Sequence, residues 1–324
     1  MAYQTQTLSI LRKDETVLSI RNNDMIQDVL PVVIVMSNPC RFKKRAQLAR
    51  EFIQRMTHEP HVSLYVVELV FGDKNFQITQ RENPNHLQLR AHVPLWHKEN
   101  LVNIAVHRLL PSDWKCFAWI DADIIFESPT WAQDTLKILN GDKDIVQLWS
   151  HCDDMDASGH TMKMFQSFAH QYTLGRVYHT GGVNLWHPGY AWAMTREAYE
   201  KIGGLYDLSI LGSGDHNMAM AIVGYMSLNP KTTEGYRESL MSRLGQFTQL
   251  RIGYVPGVIR HCFHGSKKNR QYSDRWKILV KHEYDPYKHV MHREDGLLIP
   301  TTECPRELLE DIMRYFHERN EDEK

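Results

Sequence analysis

Two aspartates one residue apart, Asp121 and Asp123, follow directly on the apolar run 115–120 (KCFAWI). Carboxylates at this spacing can share one cation where the chain turns. Mg²⁺ and Mn²⁺ are hard ions that prefer oxygen ligands and keep water and substrate phosphate in their shell. At the end of a parallel-sheet strand, where α/β folds collect ligands, such an ion would neutralise charge on a departing diphosphate. Asp121, Ala122 and Asp123 are therefore the first candidate site, with a solvated turn as the other reading.

Asp215 stands in Gly212-Ser213-Gly214-Asp215, a glycine-rich turn before a helical stretch. A carboxylate there can take a proton from a hydroxyl nucleophile. It can also cap the helix, for about 1 kcal/mol. The run His261-Cys262-Phe263-His264-Gly265-Ser266-Lys267-Lys268 offers further groups. His264 can complete a mixed nitrogen and oxygen shell for Mn²⁺, and His261 competes for that role. No fourth ligand is evident for a zinc cluster. Lys267, after Gly-Ser, can close on a diphosphate as a mobile charge. His151, Asp153 and Asp154 form another polar knot, read as a solvated loop or an acceptor contact.

The elements that must position these groups show in the hydrophobic pattern. Residues 31–37 (PVVIVMS) and 62–70 read as buried strands, with helical spacing over 41–56 between them. Strand, helix, strand implies a βαβ unit, a parallel sheet and the α/β class. The same reasoning predicts an edge strand at 76–79, helices at about 97–109 and 131–139, and strands at 115–120 and 144–148. It also predicts helical structure over 162–174, a helix capped by Thr195, and helices over 216–223, 230–248 and about 303–319. Residues 251–259 read as strand. The division expected is an N-terminal arm at 1–30, a catalytic domain at 31–270 (split at 125/126) and a C-terminal helical extension at 271–324.

Composition sets bounds. The 324 residues are 42% hydrophobic, enough for a sizeable core. Lys plus Arg number 38 and Asp plus Glu 39, for a net charge of −1, so no global field draws nucleic acid or an anionic membrane. Five scattered cysteines without a CxxC pair fit a reducing compartment. With no apolar leader and no run of about 18 apolar residues, a cytoplasmic protein of bacterial or viral style is expected.

The stretch WIDADIIFESPTW (119–131) resembles the DxD region of GT-A glycosyltransferases. HPGYAWAMTREAYEKIGGLYD (187–207) and LGSGDHNMAMA (211–221) resemble the acceptor-side segment and the acidic loop of the family 2 and family 7-like members. HCFHGSKKN (261–269) is similar to their late His-x-x-Gly region. The resemblance implies a Rossmann-like, mostly parallel sheet flanked by helices. It implies that Asp121, Asp123 and His264 bind Mn²⁺ or Mg²⁺, that a UDP- or GDP-sugar is the donor, and that Asp215 is the base of an inverting transfer to a carbohydrate or other hydroxyl acceptor. It places the nucleotide near Ser37, Asn38, Arg41, Glu68, Lys98, Asn103, Asp121, Ala122, Asp123 and Lys267. It places the acceptor near Gly182, His187, Tyr190, Trp192 and Gly214. The pattern departs at Gly-Asp-His, where a Glu-Asp pair is usual.

Two other classes compete. A nucleotidyltransferase needs a glycine-rich phosphate loop after the first strand, whereas this chain reads SNPCRFKKR. A carbohydrate-binding relic of the fold would not need Asp121, Asp123, Asp215 and His264 together.

Overall fold

Alternation along the first apolar run decides the layers. The computed structural model describes residues 27–176, 186–224, 231–247, 249–271 and 274–323. Its elements run β1 (Leu30–Ser37), α1 (Lys43–Thr57), β2 (Val62–Phe71), β3 (His86–Ala91), α2 (Lys98–Arg108), β4 (Cys116–Ile120), β5 (Ile124–Phe126) and α3 (Trp131–Asn140). Then come β6 (Ile145–Gln147), β7 (His151–Met155), β8 (Thr161–Ser167), α4 (Phe168–Thr173), β9 (Trp186–His187), β10 (Ala191–Thr195), α5 (Arg196–Lys201) and α6 (Gly214–Ile222). The chain continues through α7 (Glu234–Phe247), β11 (Ile252–Tyr254), β12 (Val258–His261), a 3₁₀ turn (Lys267–Arg270), α8 (Trp276–Lys281), α9 (Pro286–His289), β13 (Val290–His292), β14 (Leu298–Pro300) and α10 (Arg306–Glu318).

In β1, Val32, Ile34 and Met36 enter one core and Val33 the other, as the two-residue repeat of a strand requires. The central sheet has the order β11-β6-β10-β4-β1-β2-β3. All neighbours pair in parallel except β10, which is antiparallel to β4 and β6. The molecule is thus α/β with a mostly parallel central sheet. Helices α1 and α3 cover one face through Phe52, Trp131 and Leu136. Helices α2, α5 and α6 cover the other through Leu101, Tyr199 and Met218. Among the described residues no helix is long and apolar enough to cross a membrane.

A second sheet, β5-β12-β7-β8-β9, stands beside the first. Here β12 runs parallel to β7 and antiparallel to β5. A third core gathers Leu95, Tyr206, Ile210 and Tyr236 with Leu279, Tyr284, Leu308 and Tyr315. Residues 271–324 therefore share a core with the rest of the chain. They also hold the β13-β14 hairpin, so the extension is not wholly helical.

Several local expectations change. Residues 76–79 are not a strand: the N–H groups of Gln77, Ile78 and Thr79 donate to the Glu68 carboxylate instead of to a neighbouring strand. The edge strand is β3, which periodicity missed. Over 162–174 only Phe168–Thr173 is helical; Thr161–Ser167 is claimed by pairing with β7. The 251–259 run is split into β11 and β12. The arm at 1–30 lies mostly outside the described residues. The expected cap at Thr195 is present, its side chain accepting from the Ala198 N–H.

Helix α2 also acts as a clamp. Asn103 donates from Nδ2 to Leu205 O at 2.8 Å and accepts from Leu205 N and the Tyr199 hydroxyl at 2.9 and 3.0 Å. Asn100 Nδ2 donates to Asp207 Oδ2 at 2.9 Å. These bonds fix the 203–207 turn that leads to α6. Asn103→Ala leaves the Leu205 amide groups without partners and should cost about 2 kcal/mol. Urea denaturation measures this; a midpoint equal to wild type would show that the clamp carries no stability.

Candidate active site

The pairing of the small sheet gathers the first group of side chains. His261 ends β12 opposite Ile124 on one side and Asp154 on the other. Asp123 precedes Ile124, and its carbonyl accepts from Cys262 N at 2.8 Å. His261 Nδ1 lies 2.8 Å from Asp154 Oδ1, with both residues 2% exposed. The second oxygen of Asp154 takes the Lys267 ammonium, whose Nζ sits 5.3 Å above the Phe165 ring. The far nitrogen of His261, Nε2, is buried without a hydrogen-bond partner, 3.8 Å from Asp123 Oδ2.

His264 joins from the following loop. Its Nε2 is 2.7 Å from Asp123 Oδ2 and its Nδ1 is 3.5 Å from Glu321 Oε2. Arg270 Nη2 also approaches His264 Nε2, at 2.7 Å. Burial alone would raise the pKa of Asp123. His264 beside it, then His261 and Arg270, overcome that and hold the carboxylate far below its usual range.

Asp123, His261 and His264 offer ligand atoms that all lie within 4.8 Å of one another. They fit a divalent ion for a specific reason. His261 with its Nδ1 proton on Asp154 presents a lone pair at Nε2, and that lone pair faces a carboxylate. Asp123 Oδ1 is likewise buried with no partner. A cation between them satisfies both, and an Asp/His₂ set suits Mn²⁺. A cation on His264 Nε2 would take the lone pair that Arg270 now meets.

Asp121, expected as a metal ligand, lies beside Lys98 and not among these three grouped side chains. Its Oδ1 is 2.7 Å from Lys98 Nζ, and the same ammonium is 3.3 Å from Asp215 Oδ2. Burial raises the Asp121 pKa to about 6, with Lys98 opposing and Asp123 and Asp215 adding to the rise. For Lys98, burial is outweighed by Asp121 and Asp215, so the pKa rises and the ammonium stays charged. Glu99 is pushed up to about 8 by burial, with Lys98 opposing and Asp215 adding. Gly214 makes this packing possible: a Cβ there would lie 2.1 Å from Glu99 Oε1. Asp215 sits inside the first turn of α6 and is not its cap. The cap position is Ser213, whose hydroxyl accepts from Arg275.

A pocket of about 270 Å³, open solvent included, lies at the ends of β1 and β2, lined by Asn38, Arg41, Glu68, Lys74 and Gln77. Ser37 ends β1 half-buried at its edge. Asn38 is spent on the turn, bonding Phe42 N and Phe42 O at 2.9 Å each. Glu68 takes three backbone N–H groups and the Thr79 hydroxyl, one bond on Oε1 and three on Oε2. Both shape the pocket, while Arg41 stays exposed and reaches Asn75 O at 3.4 Å. Ala122 packs against the core, and Asn103 is used by the clamp.

Of the residues expected to meet the acceptor, His187 stacks on Tyr190 at 4.4 Å and 11°. Burial lowers the His187 pKa to about 3. The Tyr190 ring is 4.9 Å from His261. Trp192 is fully buried core, its Nε1 donating to Pro188 O at 2.7 Å. Gly182 lies outside the described residues. Arg41, Tyr190 and Ser213 have φ of 56°, 79° and 74°, left-handed backbone that non-glycine residues keep only where surrounding structure enforces it. Asp154, Arg270, Lys74 and Glu321 were not singled out by sequence reasoning for the places they hold.

No family model matches the chain. No curated protein matches it. Among solved structures it is similar to a 4-diphosphocytidyl-2C-methyl-D-erythritol synthase from Anaerococcus prevotii, at 10% identity over 90% of this chain and 100% of that one, TM-score 0.34. It is also similar to glucosyl-3-phosphoglycerate synthase from Mycobacterium tuberculosis in complex with Mn²⁺, uridine diphosphate and phosphoglyceric acid, at 12% identity over 82% and 79% of the two chains, TM-score 0.39. The complex of that enzyme with Mn²⁺, uridine-diphosphate-glucose and phosphoglyceric acid gives 12% over 89% and 90%, TM-score 0.38. Likeness at this level assigns no reaction.

Glu99 yields a pH test. Its carboxyl is raised by folding to about 8, so the folded state holds a proton that the unfolded state has released. Wild-type stability should therefore fall, relative to Glu99→Gln, as pH rises from about 4.5 through about 8. Urea midpoints of the two proteins at pH 5 and pH 8 check this; a difference independent of pH would refute the buried, protonated carboxyl.

Proposed function

We propose that the chain is a divalent-metal-dependent glycosyltransferase of the GT-A type, moving a hexose-type sugar from a UDP- or GDP-sugar to an acceptor hydroxyl with inversion. The observation that carries this reading is the unpartnered pair formed by His261 Nε2 and Asp123 Oδ1, beside His264 and next to the Asp121–Lys98–Asp215 chain. Asp123, His261 and His264 would hold Mn²⁺ or Mg²⁺, which when bound neutralises charge on the leaving diphosphate.

The remaining chemistry belongs to the chain's own groups. The pocket beside Arg41 and Lys74 takes the base and ribose. Lys98 ties Asp121 to Asp215 and so fixes the base relative to the donor. Asp215 accepts the proton of the acceptor hydroxyl as that oxygen bonds to the anomeric carbon. The bond from that carbon to the diphosphate oxygen breaks on the opposite face, and its electron pair leaves with the nucleoside diphosphate. Lys267, seated on Asp154, lies within the same cluster to meet the diphosphate charge. On this reading 31–125 holds the nucleotide, 126–270 supplies the base and acceptor side, and 271–324 is an extension.

A nucleotidyltransferase is the second reading, and one observation weighs against it. The first N–H groups of α1, at Lys43 and Lys44, donate to Asp322 at 3.0 and 2.8 Å, so they are not offered to a triphosphate. An assembled carboxylate and imidazole set equally weighs against a non-catalytic relic.

A thermal-shift panel of UDP- and GDP-sugars, each with and without Mn²⁺, tests the reading, because a ligand that binds only the folded state raises its stability. A metal-dependent shift with one donor and slow release of nucleoside diphosphate are expected. Release of pyrophosphate from a nucleoside triphosphate would favour the second reading.

Asp123→Ala should abolish Mn²⁺-dependent donor binding, as measured by calorimetry; undiminished binding sinks the metal assignment. Asp215→Asn should keep donor binding yet lose transfer by roughly 10²- to 10⁴-fold. Near-normal transfer in that variant would remove Asp215 as the base.

A further inference from the structure

We infer that Glu321 is a positioning residue of the metal centre, the carboxylate that orients His264 as Asp154 orients His261. This rests on the metal reading given above. An imidazole that binds an ion through Nε2 must carry its proton on Nδ1, and that proton needs a fixed acceptor. For His261 the acceptor is Asp154, at 2.8 Å. For His264, Nδ1 lies 3.5 Å from Glu321 Oε2, and Arg270 Nη2 lies 3.4 Å from the same nitrogen. Each imidazole thus has a buried carboxylate near its Nδ1.

Glu321 is built to be immobile. It is 1% exposed. Arg45 Nε reaches its Oε2 at 2.7 Å, and Arg319 Nε reaches its Oε1 at 2.7 Å. A carboxylate so deeply buried is tolerated because two guanidiniums pair with it. Its segment is fastened on both sides. Asp322 accepts the first N–H groups of α1, and Asn269 Nδ2 donates to Glu323 Oε2 at 2.8 Å. Gly265, beside His264, admits the segment: a Cβ there would lie 2.8 Å from Asn320 O and 3.0 Å from Glu321 Cα. Its φ of 86° also favours glycine. The segment therefore joins the helix after the nucleotide pocket to the loop that carries His264.

The test uses the full chain. Calorimetry with Mn²⁺ alone gives the affinity of wild type, Glu321→Gln and Glu321→Ala. The visible absorption of added Co²⁺ reports the ligand set, which a merely fastening role for Glu321 would not change. Loss of the carboxylate should weaken Mn²⁺ roughly 10- to 100-fold and alter the Co²⁺ band. Glu310→Ala, which loses only an exposed pair with Arg306 on α10, should match wild type in both. If Glu321→Ala does not fold, the isosteric Glu321→Gln carries the measurement. Wild-type affinity and an unchanged Co²⁺ band in Glu321→Gln overturn the inference and leave the metal reading standing. Failure of wild type itself to bind Mn²⁺ overturns that reading, and the inference with it.

Discussion

His261 lies between Ile124 and Asp154 in the small sheet, and a slip of one residue in that pairing would undo the metal set. Neighbouring side chains of a strand point to opposite faces. On β12, Ile259 and His261 are buried, while Arg260 is exposed and pairs with Glu127. A slip would put Arg260 where His261 now stands, bring a guanidinium onto Asp154, and expose the imidazole. The buried Ile259 and the buried Asp154 both oppose that exchange. The core thus enforces the register, and the register sets the ligands.

The charges fall into two groups of different balance. Around Asp123, Asp154 and Glu321 stand His261, His264, Lys267, Arg270, Arg45 and Arg319. Around Asp121, Glu99 and Asp215 stands Lys98. The first group can keep every carboxylate ionised although buried, because each has a cation at hand. The second shares one ammonium among three carboxyls, so Glu99 keeps its proton to about pH 8. On the proposed reading, the cation-rich group would meet the leaving diphosphate and the acid-rich group the proton of the acceptor hydroxyl. Asp121, whose charge also feels Asp123, is the seam between them. Strained backbone at Arg41, Tyr190 and Ser213 borders the same region, where the surrounding contacts hold it.

Much of this was legible in the residue order. The strand-helix-strand start, the DxD after β4, the Thr195 cap and the helix near 303–319 all follow from periods and capping rules that act within a few residues. The 76–79 and 162–174 segments were misread for the same reason. Their fate depends on partners, a carboxylate for the first and β7 for the second, which no local pattern contains.

The side chains of the site divide along the same line. By itself the sequence determined the fold class and the presence of acids and imidazoles at the ends of strands and the start of a helix. The tertiary structure decided which partner each one has. Asp121 paired with Lys98; Glu68, Asn38 and Asn103 bonded backbone amides; His261 and His264 met at Asp123, far from both in the chain. A buried carboxylate takes whichever donors the packing delivers, and packing delivers them from segments that are distant in the chain.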